Sequence, residues 1–404
     1  MSNWSEKTLD ELGTVGRGKS KHRPRDAAFL YGGPYPFIQT ADVKNANFYI
    51  NSFSQTYSEE GLKQSKLWTK GTLCITIAAN IADTGILDIE ACFPDSIIGF
   101  IANEEICNVK YIKYYIGSFQ KNLKQISQGA AQDNLNLQKL LAFKFKIPDK
   151  NTQDKVVNIL SAYDDLIENN LKRIALLEEA AESIYKEWFV NFRFPGYEKC
   201  EVVNSIPDKW KVGKVSDIAV LDSGYAFKSK DFQEQGNPII KIKNIENNSI
   251  NTMDCDCVEK SIVEKLSKFK LECGDLLIAM TGATVGKIGI MPRTQKDYYL
   301  NQRVGRIKSK YDFDISSYIF CLFNSNFISN SIINIAKGAA QPNISTVEIG
   351  NIEILLPEQN VLYDFEKCCS YLLKSRLNLI EQNEKLKESR DILISKLIMG
   401  EIEV

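Results

Sequence analysis

Between Asp154 and Val190 the positions Leu160, Tyr163, Ile167, Asn170, Ile174, Leu177, Ala181, Ile184 and Trp188 recur at alternating steps of three and four. That spacing predicts a long helix with a coiled-coil seam. Moved 209 residues along the chain (128 to 337), the same positions fall on Cys369, Leu372, Arg376, Leu379, Asn383, Leu386, Arg390, Leu393 and Leu397. Leucine occupies every seventh place at 372, 379, 386 and 393, so a second helix of the same register is expected. Four seam positions are polar: Asn170, Arg376, Asn383 and Arg390. Polar residues in a seam weaken a coiled coil but fix its register and partner. At about 1.5 Å per residue the first helix spans roughly 55 Å, comparable to about 16 base pairs of duplex. An antiparallel pairing of the two helices within the chain is expected, with the globular parts at opposite ends. The alternative is that each helix packs on its own domain.

The offset extends beyond the helices. Gln128-Gly129-Ala130-Ala131-Gln132-Asp133-Asn134 returns as Lys337-Gly338-Ala339-Ala340-Gln341-Pro342-Asn343, and each copy leads into a strand-like run closed by Pro148 or Pro357. Trp4 corresponds to Trp210, and the turn glycine and apolar run at Gly71 to Ile75 correspond to Gly274 to Ile278. This period is far longer than that of solenoid repeats, so a duplicated domain is expected rather than a repeat array. The fold class is then α+β: two duplicated mixed α/β domains, 1–153 and 195–360, each followed by a long helix, 154–194 and 361–404. A pseudo-twofold chain of this kind suits a partner with two related halves.

Charge does not advertise a partner. Fifty Lys and Arg balance 51 Asp and Glu for a net charge of −1, so any affinity for nucleic acid must come from a local patch. Ten cysteines include Cys368-Cys369 and Cys255-x-Cys257 but no CxxC pair at zinc spacing, and His22 is the only histidine. A reduced, cytoplasmic compartment is expected. Neither a signal peptide nor an apolar run long enough to span a membrane is evident.

The segment most like an enzyme's is Thr281-Gly282-Ala283-Thr284-Val285-Gly286-Lys287, after the apolar run Asp275 to Met280. It imitates a phosphate-binding loop, but only three residues separate its glycines where four are required. Ile288 stands where the magnesium-binding Ser or Thr belongs, and Gly289-Ile290-Met291 continues as a strand rather than a helix N-terminus. A Ser-His-Asp triad would have to use His22, which lies among Lys19, Lys21, Arg23 and Arg25. There is no Asn-Pro-Pro-Tyr motif for amino-methyl transfer, no dinucleotide fingerprint and no acidic cluster fit for a nuclease metal. Neither catalytic residues nor a metal site are expected.

Binding residues are easier to nominate. Arg17, Lys19, Lys21, Arg23 and Arg25 crowd a segment poor in apolar residues, suited to holding phosphates with a steep salt dependence; the alternative is a solvated loop. Lys228 and Lys230 follow Trp210 at a similar distance, behind Tyr225 and Phe227. The amides Gln132, Asn134, Gln341 and Asn343 in the duplicated Gly-Ala-Ala-Gln-x-Asn segment can pair bidentately with adenine, or simply build a turn. Gln302 and Arg303 add polar reach, and Arg303 or Arg306 suits either a guanine or a sheet edge. Leu177, Ile184, Trp188, Phe189, Leu386, Leu393 and Leu397 are candidate contacts for partner subunits. For the aromatic cluster Trp188, Phe189, Phe192 and Phe194, core packing at a domain junction is the other reading.

The duplicated Gly-Ala-Ala-Gln-x-Asn segments, the Gly71 and Gly274 strand starts and the ending Lys396-Leu397-Ile398-Met399-Gly400-Glu401-Ile402 together resemble the specificity subunit of type I restriction-modification enzymes. The resemblance covers nearly the whole chain. It departs at Asp133, where the second copy has Pro342, and over Ala78 to Gly85, which lacks the Gly282 to Gly289 pattern. The resemblance implies a non-catalytic subunit that binds double-stranded DNA, each domain recognising half of an interrupted target while the helices set the gap. It also implies two modification (methyltransferase) subunits carrying S-adenosylmethionine, and restriction (translocase and nuclease) subunits using ATP and Mg. No cofactor is expected on this chain itself. The alternative is a coiled-coil assembly scaffold without DNA contact, favoured by the near-neutral charge.

Overall fold

The structure, a computed structural model, describes residues 4–78, 82–128, 137–203, 206–337 and 342–404. The chain forms two compact units. The first combines Met1–Asn169 with Glu384–Val404, and the second is Asn170–Asn383. Both divisions fall inside the long helices, Lys150–Tyr185 and Gln359–Ile398, so each helix contributes to both units.

Each unit is built on the same strand plan. In the first, a five-stranded sheet runs in the order Gly13–Arg17, Ile97–Ala102, Leu73–Thr76, Thr84–Leu87, Tyr49–Ile50. In the second the order is Ala219–Ser223, Val304–Ser309, Leu276–Ala279, Ile288–Ile290, Asn248–Ile250, with Ile245–Glu246 added at the edge. Both sheets are antiparallel except at one pairing, Tyr49–Ile50 on Thr84–Leu87 and its counterpart Asn248–Ile250 on Ile288–Ile290. A four-stranded sheet accompanies each, and a short ribbon pairs Ser5–Lys7 with Phe145–Ile147 or Lys211–Lys214 with Glu353–Leu356.

The central strands explain the apolar runs seen in the sequence. Leu73 and Ile75 enter a core shared with Phe100, Tyr111 and Leu397, whereas Cys74 enters a second core with Trp68 and Phe93. Leu276 and Ile278 face one way and Leu277 and Ala279 the other in the second unit. Side chains alternate across a strand, so a strand covered on both faces must be apolar throughout.

The first long helix begins at Lys150, earlier than Asp154, because the Asp149 carboxylate accepts from the Thr152 amide at 3.0 Å and its hydroxyl at 3.1 Å. It closes in one wider turn at Lys186–Val190. The second ends at Ile398 because Gly400 adopts a φ of 72°, which stops a helix at little cost. Within each unit the two helices run antiparallel. Asp164 pairs with Arg390 and Lys155 reaches the Val404 carbonyl in the first unit; Asn170 bonds Asn383 at 2.9 Å and Glu178 pairs with Arg376 in the second.

Trp188, Phe189, Phe192 and Phe194 pack with Trp210, Tyr318 and Phe365, so this cluster belongs to the core of the second unit. Among the described residues no single helix is long and apolar enough to cross a membrane; the bent pair Ser316–Asn324 and Asn326–Ala336 passes only by length and composition.

Candidate nucleic-acid interface

At one end of each large sheet a glycine lets the chain cross tightly over a neighbouring turn. In the first unit the Gly18 amide donates to the Ile97 carbonyl (2.9 Å), Lys19 to Phe93 (3.0 Å) and Ile77 to Ser96 (3.0 Å). In the second, Gly224 donates to Val304 (3.3 Å), Tyr225 to Leu300 (2.9 Å) and Met280 to Arg303 (3.0 Å). These bonds make Gly18 equivalent to Gly224, Lys19 to Tyr225, Asp95 to Gln302 and Ser96 to Arg303. A Cβ at Gly18 would lie 2.2 Å from the Pro94 carbonyl oxygen, and one at Gly224 2.3 Å from that of Leu300, so both crossings require glycine.

The second frame gathers several of the nominated residues. Gln302 and Arg303 are exposed beside Tyr225, whose carbonyl accepts from the Gln302 amide at 2.9 Å. Thr281 bridges to Asn343, and the Gly282 amide donates to Pro342 at 2.9 Å, which brings exposed Asn343 to the same end. Lys228 and Lys230 lie exposed on the segment that continues from Tyr225 through buried Phe227. Arg306 is not available: it is 8% exposed and its guanidinium serves the Lys268 and Lys270 carbonyls at 3.0 and 2.9 Å. Thr281 to Lys287 is a hairpin loop between strands Leu276–Ala279 and Ile288–Ile290, with Gly282 and Gly286 at φ 78° and 86°. A loop between two antiparallel strands offers no helix N-terminus to a phosphate.

In the first frame the basic segment is tied down. Its backbone is held at Gly18 and Lys19, at Lys19 again through the Ser65 hydroxyl (2.8 Å), and at His22 by Gln64 (3.0 Å). Arg23 folds back on the Ser20 and His22 carbonyls at 2.7 and 2.8 Å and is spent on its own loop. Arg17 donates through Nε to the Asp95 carbonyl, and Arg25 donates through Nη2 to both Asp95 carboxylate oxygens at 2.9 and 3.0 Å. Lys19 and Lys21 remain exposed. Lys66 joins them, lying 3.5 Å from the centre of the Trp68 ring; burial and then the charge of Lys19 hold its pKa below the ordinary lysine value. Phe29, 57% exposed and edge-on to His22, stands in the same patch. Gln132, Asn134 and Gln341 lie outside the described residues.

Sequence reasoning missed Asp95, Lys66, Phe29 and Tyr225 as site residues. Only Tyr225 carried a signal, as an aromatic beside the Lys228 and Lys230 pair; Asp95 becomes visible through its equivalence to Gln302. The partner-contact nominations fall on the packed faces of the helices. Phe189 and Leu397 are 8% and 3% exposed and sit in the cores of their own units; Ile184, Trp188 and Leu393 pack against those cores, and Leu177 and Leu386 are half-buried. The stripe they form is the seam itself. Apolar side chains exposed on the two long helices are instead Ile159, Leu166, Leu171, Leu176, Tyr363, Tyr371 and Ile392. Among the described residues no group of three or more His, Cys, Asp or Glu is placed to hold a metal.

The family model for the type I restriction modification DNA specificity domain matches residues 1–179 and 207–382, once per half. The chain belongs to this family, as a DNA-specificity subunit of a type I restriction-modification system and a non-catalytic component of it. The specificity subunit of the MjaIX enzyme of Methanocaldococcus jannaschii is 25% identical over 421 residues, covering 100% of this chain and 94% of that one. The HindI specificity subunit of Haemophilus influenzae is 22% identical, with 65% of this chain and 69% of the relative covered. The type I restriction-modification S subunit of M. genitalium shares the fold, with a TM-score of 0.56 and 16% identity over 98% of this chain and 96% of that one.

Proposed function

We propose that this subunit recognises an interrupted double-stranded DNA sequence, each unit reading one half-site through the frame at the end of its large sheet. Supporting this is one observation: the same backbone frame occurs twice with different side chains at equivalent places, Lys19 against Tyr225, Asp95 against Gln302 and Ser96 against Arg303. Phosphate contacts position a protein on DNA while base-edge contacts specify sequence. In this reading Lys19, Lys21, Lys228 and Lys230 hold backbone, and Gln302, Arg303 and Asn343 face bases. The two half-sites then differ in sequence.

The paired helices act as the spacer, with 1–153 and 195–360 as recognition domains and 154–194 and 361–404 as stems. Two modification subunits dock on outward helix faces, where Leu166, Leu176 and Tyr371 are exposed, and bring S-adenosylmethionine for N6 methylation of a flipped adenine. Restriction subunits with ATP and Mg join the same cytoplasmic assembly, and this chain holds no cofactor.

The test is single-molecule sequencing of modified adenines in cells carrying this chain with its modification subunit, against a deletion of this chain. Loss of one bipartite methylated motif is the expected result; an unchanged pattern with an active modification subunit refutes the reading. Inserting one heptad into both helices is expected to change the gap and leave the bases the same.

A further inference from the structure

Asp95 organises two arginines at once. Its carbonyl accepts from Arg17, and its carboxylate takes two bonds from a single nitrogen of Arg25, Nη2. Arg25 is fixed at its other end as well, since the Tyr31 hydroxyl donates to the Arg25 carbonyl at 2.7 Å. Asp95 is fixed too. Its turn is locked by the Ile97 amide on the Pro94 carbonyl (3.1 Å), by Gly18 on Ile97 and by Lys19 on Phe93. The Arg25 side chain is nevertheless 48% exposed, and that of Asp95 36%.

A surface ion pair of this exposure adds little stability, so stability alone is a weak reason for so many restraints. What the arrangement does accomplish is orientation. A guanidinium is a planar fork whose value in recognition depends on its plane being set before the ligand arrives. With Nη2 committed to the carboxylate, Arg25 is aimed, and its charge is set among Lys19, Lys21 and Lys66, which draw a polyanion to this face.

We propose that Arg25 reads a guanine edge, O6 and N7, in the half-site bound by the first unit, and that Asp95 is the positioning residue that aims it. The proposal rests on the first unit being a half-site reader and assigns Arg25 to a base rather than to a phosphate. Gln302, in the place of Asp95, buttresses no arginine in the second unit among the described residues, so that unit reads its bases by other groups.

The experiment starts from the bipartite motif, established by adenine-methylation sequencing with the wild-type chain; absence of any such motif is a failure of the functional reading and is seen before any variant is made. The purified complex is then titrated with duplexes carrying 7-deazaguanine at each guanine of the motif in turn. One guanine in one half-site is expected to lose roughly 5-fold in affinity, the lower end of what a guanine-edge contact is worth, because 7-deazaguanine keeps O6. In complexes with Arg25→Ala or Asp95→Ala the same substitution is expected to cost nothing, and the methylated motif to become degenerate at that one position, with the other half-site and the gap unchanged. Asp95→Ala combined with Arg25→Ala is expected to match Arg25→Ala alone. Retention of the other half-site reports that each variant is folded. Three results overturn the proposal: no guanine on either strand of the first unit's half-site, no guanine sensitive to loss of N7, or an unaltered motif and unaltered 7-deazaguanine penalty in both variants.

Discussion

Removing Arg376 separates an ion pair's cost from its benefit. The residue is 2% exposed; its Nε meets Glu178 Oε1 at 2.5 Å, its Nη2 the Asn248 carbonyl at 2.7 Å, and its guanidinium lies 5.4 Å from the centre of the Phe320 ring. It joins both long helices and the globular part of the second unit. Breaking a buried pair from one side costs about 3–5 kcal/mol, because the surviving charge is stranded. Glu178 retains 22% exposure and can turn toward water, so Arg376→Ala is placed at the lower end, about 3 kcal/mol. Against a total stability of about 5–15 kcal/mol this is severe, and it corresponds to a loss of about 6–12 °C in melting temperature. Arg376→Met with Glu178→Leu removes both charges and keeps most of the volume, so the double variant should lie within about 1 kcal/mol of wild type. Urea unfolding of wild type, Arg376→Met, Glu178→Leu and the double variant gives the coupling energy directly. The reasoning is refuted if Arg376→Ala unfolds within about 0.5 kcal/mol of wild type, or if the double variant is as damaged as the single ones.

Glu366 accepts from the Ser317 amide and hydroxyl at 3.0 and 2.9 Å, yet burial pushes its carboxyl from an ordinary 4.5 up to about 7. A folded state that holds the proton more tightly than the unfolded one loses stability as pH rises through that window. Urea midpoints should therefore fall between pH 4.5 and 7, and Glu366→Gln should flatten that fall. Lys19→Ala and Lys21→Ala should each reduce the slope of log affinity against log salt by about 0.9 in DNA titrations while leaving the methylated motif intact. Gly224→Ala should cost about 2 kcal/mol or more and abolish reading of one half-site only, because its Cβ would meet the Leu300 carbonyl oxygen; a normal melting curve with both half-sites read would contradict this.

The helices and the duplication were legible because both are periodic and long. Asn170, Asn383, Arg376 and Arg390 sit at seam spacing, and the structure gives each a polar partner across the seam. Which apolar stripe faces inward was not legible. Leu177 and Leu397 lie at seam spacing and Leu166 and Leu176 off it, but spacing alone does not say whether a seam is filled by the same chain or by another subunit. Arg303 and Arg306 look alike in sequence; the choice between them is made by the Lys268 and Lys270 carbonyls, more than 30 residues away. Asp95 has no motif of its own, and its importance comes from strand register, which places its turn against Arg17 and Arg25. Interactions fixed by distant pairing leave little local trace.

The discontinuity of the first unit has a bearing on how the chain is made. Leu397 and Ile398 are 3% and 2% exposed in its core, and Gly400 lies so close to Trp4 that a Cβ there would be 2.8 Å from the indole. Domains form as the ribosome delivers them, at about 5–20 residues per second. The second unit, Asn170–Asn383, is complete before Glu384–Val404 is synthesised, whereas the first waits for that stretch. The first unit, begun before the second, thus closes after it, and removal of Glu384–Val404 is expected to injure the first unit while sparing the second.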